Sequence, residues 1–219
     1  MTRLNLAQVQ ATHGPVLILD AAGSCQAARC IGGHLRSSQH SGEAGVAIFR
    51  AIADLGGPEA IEKAGAFVFC RLPGSVLGAR TCAMAIRLWT ALRSRPVYGY
   101  HGLELMAAAH GGLGTAFVAD ARRGEWHWSV SGGAAERISE AELAARAATG
   151  AVALVSPAGF KAWSRPSLNV GTAPYEIGSL WQSAADCPLL TLDAEPDAVL
   201  ASEPAYVRWT PQLHGEVRP

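Results

Sequence analysis

Two segments a hundred positions apart read alike, and together they restrict the folds open to this chain. Val16 to Gly33 reads VLILDAAGSCQAARCIGG, and Ala116 to Gly133 reads AFVADARRGEWHWSVSGG. Each is an apolar strand ending in Asp-Ala (Asp20-Ala21, Asp120-Ala121), then a Gly-containing turn, a second strand and a Gly-Gly stop. Strand, tight turn and strand make a β-hairpin. A repeated hairpin points to internal duplication, which organises a fold more strongly than any single local preference.

The segments after each hairpin repeat as well. After the first, a polar loop leads to a helix expected over about 42–55, with Gly45, Ile48, Ile52 and Leu55 (plus Phe49) on one face. Ala66 to Cys70, AFVFC, reads as a buried strand, and a second helix comes after it. After the second hairpin, Ser139 and Glu142 form a capping-box pattern at a helix start. AVALV at 151–155 is again a short apolar strand, with a helix expected near 178–186. Hairpin, helix, strand, helix therefore occurs twice. The expected class is α/β: a duplicated RNase H-like or actin-like ATPase (ASKHA) fold, with mixed sheets and helices on both faces. The first half is placed at 1–103 and the second at 104–205, with the tail 206–219 assigned back to the first. In active members of that superfamily the two hairpin turns hold ATP phosphates and a metal from opposite sides.

An ATP-dependent phosphotransferase of the same superfold is an alternative reading of LDAAGS, but the motifs offer little for such chemistry. Asp20 could face a metal, and Gly23 with Ser24 could offer donors to a phosphate. Equally, Asp and Gly can simply close a hairpin, and the second turn, DARRGE, carries bulky arginines. Gly74 to Thr81, GSVLGART, is not a Walker loop: three residues separate its glycines and Arg80 comes after the second. Arg80 near a helix N-terminus opposes the helix dipole unless an anion is near. Down that helix Ala79, Cys82, Ala83, Ile86 and Trp89 share one face, and Arg80 and Arg87 the other. The seven histidines form neither an HxxxH pair nor HExxH, so no helical metal site is expected. No GxSxG elbow nominates a nucleophile. Trp126 and Trp128 alternate as core or interface residues of one strand face.

Composition narrows the class. Eighteen Lys plus Arg balance eighteen Asp plus Glu, which argues against a nucleic-acid binder acting alone. Five cysteines without a CxxC pair fit a reducing compartment better than a disulfide framework. With neither a signal peptide nor a membrane-length apolar run, a soluble cytoplasmic protein is expected.

In order along the chain, these residues resemble the TsaB (YeaZ) family of the bacterial tRNA threonylcarbamoyladenosine system. LILDAAG is similar to its N-terminal strand ending in Asp, and His40-Ser41 to the pair before its first long helix. CRLPGSVLGARTC is similar to its signature G-R-G-P-G-S-F-T-G-x-R-x-G, DARRGEWHW to its D-A-R-x-G-E-V-Y hairpin, and EPAYVR (Glu203 to Arg208) to its late E-P-x-Y-x-R. The departures are Cys70 and Leu72 at signature glycines, Val76-Leu77 at Phe-Thr, and Asp20-Ala21-Ala22 at Asp-Thr-Ser. The likeness is to a divergent member. It implies a non-catalytic subunit with no cofactor of its own, ATP and Mg entering only through partners. The implied partners are a TsaD-like catalytic subunit and a TsaE-like ATPase, with a homodimer when alone, tRNA met only indirectly, and no membrane. The family-motif and interface positions it implies are His40, Ile48, Ile52, Leu55, Gly74, Ser75, Gly78, Arg80, Arg122, Gly124 and Glu125. The apolar stripe Ile48, Ile52, Leu55 could serve such a contact or pack on its own sheet.

Overall fold

The computed structural model describes residues 2–198 apart from 111, 113, 151 and 164–167. The late EPAYVR segment and the tail 206–219 lie outside the described residues. The first sheet is built from β1 (Val16–Asp20), β2 (Cys25–Ile31), β3 (His34–His40), β4 (Ala66–Leu72) and β5 (Val97–His101). The second is built from β6 (Thr115–Arg122), β7 (Glu125–Val130), β8 (Glu136–Ser139), β9 (Ala153–Pro157) and β10 (Val170–Ala173). Both have the same order. In the first, β3-β2-β1 is an antiparallel meander and β1-β4-β5 is parallel; in the second, β8-β7-β6 is antiparallel and β6-β9-β10 parallel. The duplication seen in the hairpins thus extends through all five strands.

The connections bring one departure from expectation. The polar loop expected after the first hairpin is β3, paired along its whole length with β2 from Ile31↔His34 to Cys25↔His40. Its second-half counterpart is β8. Both are edge strands of low hydrophobicity, held by backbone pairing rather than by an alternating apolar face, so periodicity does not reveal them. A further two-residue strand, β11 (Thr191–Leu192), pairs antiparallel with β5. Thr191 and Leu192, grouped by sequence with the second half, therefore pair with the first sheet.

Three apolar layers hold the fold. In β1 every residue is buried, and alternate side chains serve different layers. Leu17 and Leu19 face outward, under helices α2 (Ala44–Asp54) and α4 (Val76–Leu92), with Phe67, Phe69, Ile86 and Trp89. Val16 and Ile18 face inward, toward helix α1 (Leu6–His13), helix α5 (Gly102–His110), helix α7 (Ile177–Ser183) and residues Phe117 and Ala119 of the second sheet. The third layer packs helix α6 (Glu140–Gly150) on Trp126, Trp128 and Ile138. A strand buried on both faces must be apolar throughout, and VLIL is.

The middle layer also carries polar contacts between the halves. Buried Glu104 of α5 accepts a forked pair from Arg3, 2.8 and 3.1 Å, and the Ala135 amide at 2.8 Å. The rings of His101 and His127 stand 5.5 Å apart. Burial, reinforced by the positive charges around each ring, lowers His101 to about 3 and His127 to about 4. Both are therefore neutral in the folded protein at pH 5, whereas the unfolded chain binds protons there with pKa near 6.5. Stability is full above pH 6.5 and falls as pH drops toward 4, with a slope of up to about 1.4 kcal/mol per pH unit for each ring. Urea unfolding at pH 7 and pH 5 checks this: the wild type loses stability at pH 5, and His101→Gln loses less. Equal stability of the wild type at both values would overturn it.

Candidate functional site

The β1–β2 turn is where an actin-like fold would hold phosphate, and its chemistry is set by Asp20. The carboxylate is fully buried. Its Oδ1 accepts the Ala22 amide at 2.8 Å, an Asx turn that shapes the hairpin. Its Oδ2 accepts two phenol hydroxyls, Tyr100 from the end of β5 and Tyr175 from the segment before α7, each at 2.6 Å. Burial pushes the carboxyl up from its usual range, and the bonds from Tyr100, Tyr175 and the Ala22 amide pull it part of the way back. The same burial, with Asp20 beside them, pushes both phenols well above their usual range.

Two further contacts tie this turn to the second half. Gln26 of β2 donates to the Tyr175 carbonyl and accepts the Ile177 amide, both at 2.9 Å. At Gly23, an added Cβ would stand 3.1 Å from the Gly159 carbonyl oxygen and from the Phe160 ring. Phe160 in turn packs edge-on to Tyr175, with ring centroids 4.9 Å apart.

The signature turn closes the other side. Leu72-Pro73 is a cis bond, and the Ser75 amide donates to the Ala22 carbonyl at 2.8 Å. A Cβ at Gly74 would lie 2.5 Å from the Ala22 oxygen, and one at Gly78 only 2.0 Å from the Ala21 oxygen. Both glycines are thus fixed by close approach of two backbones. Ser75 caps α4, its hydroxyl accepting the Gly78 amide at 3.1 Å, so the helix N-terminus is satisfied from within. Among the described residues, no cluster of His, Cys, Asp or Glu has a metal-holding arrangement. Asp20 has its lone pairs engaged by three donors, Gly23 is covered by Gly159–Phe160, and Ser24 receives the Gln26 amide at 3.3 Å. Asp20, Gly23 and Ser24 do not fit a metal or a phosphate. Asp20, through Tyr175, and Gly23, against Gly159 and Phe160, join the two halves.

The remaining sequence-nominated residues are spread over the surface and core. Ile48, Ile52 and Leu55 are buried in the layer under α2 and α4, so the stripe packs on its own sheet. The exposed face of α2 carries Val46, Phe49 and Arg50 instead. His40 Nε2 and the Ser38 hydroxyl share Asp54 Oδ2, at 2.8 and 2.6 Å, clasping β3 to the C-terminal end of α2. These bonds lower the Asp54 carboxyl. Ser41 does not cap α2, which starts at Ala44 after an N-cap Glu43. Arg80 and Arg87 are exposed on α4. In the second hairpin, Arg122, Arg123 and Gly124 all have positive φ. The Arg122 amide donates to Asp120, and its guanidinium lies 5.0 Å over the Trp163 ring. Glu125 pairs with Arg137, and the Gly124 carbonyl accepts the first amide of α6. The first turn is sealed inside against Gly159 and Phe160, and the second lies against Trp163, so residues 159–163 touch both.

Sequence reasoning missed Tyr100, Tyr175 and Gln26. No local pattern marks them, because each acts through a partner 80 or more positions away. Tyr175→Phe is expected to cost about 1–3 kcal/mol in urea unfolding, since it removes a hydrogen bond to a buried carboxylate. Gly78→Ala is expected to cost about 3 kcal/mol, the upper range for overpacking against a backbone that cannot yield. Wild-type protein should give no saturable heat with Mg-ATP; heat that disappears in Asp20→Ala would overturn the reading of this turn.

No protein-family model and no curated protein matches the sequence. Solved structures do match. YeaZ from Pseudomonas aeruginosa superposes with a TM-score of 0.56 at 17% identity, covering 78% of this chain and 90% of that one. An uncharacterized Pseudomonas aeruginosa protein with similarity to peptidase YeaZ gives 0.55 at 19%, covering 76% and 88%. With its two five-strand repeats in the same order, the chain has the duplicated actin-like fold that YeaZ has.

Proposed function

We propose that this protein is a non-catalytic scaffold or activator subunit of the bacterial tRNA threonylcarbamoyladenosine system, docking a TsaD-like catalytic subunit through the outer face of α2 and α4. The observation that carries this reading is the chemistry of that face. Val46, Phe49, Leu77, Met84, Leu88 and Leu92 are exposed large apolar side chains, and all six lie on these two helices. Leu77, Met84 and Leu88 follow one stripe of α4, and α2 lies beside it. Clustered apolar side chains on a water-facing surface mark an interaction site. The ordered YeaZ-like motifs and the shared fold support the choice of this system. A TsaE-like ATPase would join through the same complex, and tRNA would be met only indirectly.

Charge favours a different protein over a second copy as the main occupant. Arg50, Arg80 and Arg87 are exposed around the stripe, so a symmetric pairing tends to set arginines against arginines. A partner with an apolar face and an acidic rim suits it better. A second reading, a diverged paralogue that pairs only with itself, is favoured by the signature substitutions at Cys70, Leu72 and Val76-Leu77.

Mixing the purified protein with its host's TsaD tests the proposal. A heterodimer by size exclusion with light scattering, and rescue of a TsaB-depleted strain, are expected. Met84→Glu with Leu88→Glu should weaken the complex about 100-fold or more, as loss of central apolar anchors does. The melting temperature should hardly move, because both side chains are more than half exposed. A homodimer that ignores TsaD would sink the proposal in favour of the paralogue.

A further inference from the structure

A cavity of about 200 Å³ opens between the halves at the C-terminal ends of β4 and β5, away from the α2–α4 face. Ligands of open α/β sheets gather at such strand ends. Arg71 and Leu72 enter from β4, Tyr100 and His101 from β5, Arg3 from the N-terminal segment and Glu104 from α5.

We propose that this cavity binds a small oxyanion ligand, a carboxylate or a phosphate, gripped by Arg71 and His101. Its walls are built for the arginine. The Arg71 stem crosses β5 where Gly99 has no side chain; a Cβ there would meet Arg71 Cδ at 2.1 Å. Its guanidinium makes one long ion pair among the described residues, Nε to Asp193 Oδ2 at 3.5 Å. The two terminal nitrogens are left to offer a planar fork, the geometry that matches an oxyanion.

The neighbouring charges divide the work. Glu104 is taken up by Arg3, with both its oxygens engaged, and by the Ala135 amide. It therefore neutralises Arg3 without blocking Arg71. His101 Nδ1 is buried and has no hydrogen-bond partner among the described residues. Nδ1 is sealed from solvent, so a ligand meets the ring at its remaining exposed edge, which lines the cavity. Burial, with His127, Arg3 and Arg71 adding to it, keeps the His101 ring neutral at pH 7. A neutral imidazole carries one N–H, which an oxyanion can accept. A bound negative charge would also offset the two arginines and raise the pKa of His101 from about 3.

Two probes separate the sources of the shared chemistry: inorganic phosphate and malonate, each titrated into the full-length protein at pH 7. Saturable heat with at least one is expected, and which one answers identifies the ligand class. Arg71→Ala should weaken binding about tenfold or more, as loss of a charge-assisted fork does, and Arg71→Lys by less. The His101 ring proton, followed by NMR in the wild type, should shift on saturation and titrate at higher pH, a readout that needs no variant to fold. The proposal is overturned if neither probe gives saturable heat or moves the His101 signal, or if Arg71→Ala binds as tightly as wild type.

Discussion

The structure depends on one buried carboxylate. Asp20 sits at the end of a strand that is apolar on both faces, at a turn enclosed on every side, and a charge there survives only with donors. Those donors come from three places: its own turn, the end of β5, and a segment 155 residues away. Satisfying Asp20 therefore requires both halves in one fixed arrangement. The residue that would hold a metal in an open-cleft relative here holds the second half against the first. Gln26, bonded to Tyr175 and Ile177, repeats the device one strand further on.

The close backbone packing at the other side of the turn has the same origin. Gly74 and Gly78 bring the entry of α4 against the carbonyls of Ala21 and Ala22, so the helix N-terminus faces the hairpin. Cys70 and Cys82 lie in this region as buried thiols packed in the apolar layers, and that burial pushes both well above their usual range. The turn is built for rigidity. What α4 offers to the outside is its other face, where Leu77, Met84 and Leu88 alternate with Arg80 and Arg87.

Much of the site's meaning was legible in a general way and misplaced in particulars. Helical spacing at Ile48, Ile52 and Leu55 showed an apolar stripe, but spacing alone does not say whether a stripe meets the sheet below or a protein above. The sheet is below, because β1 and β4 present Leu17, Leu19, Phe67 and Phe69 to that side. The strand β3 was invisible because edge strands are held by backbone bonds, which sequence does not display. Arg71, Gly99 and His101 carry no local signature either; only the register of β4 on β5 makes them neighbours.

The sequence by itself determined the duplication, the alternation of strands and helices, and the positions of the two Asp-containing turns. These are local properties, written in hydrophobic period and in Gly, Asp and Ser at turns and caps. Tertiary structure alone decided what the turns do. Asp20 and Asp120 follow the same pattern along the chain, yet one is buried beneath two tyrosines and the other lies near the surface beside Trp163. The difference comes from which distant residues each turn meets when the halves close, and hydrogen bonds spanning 80 to 155 positions leave no trace in a local window.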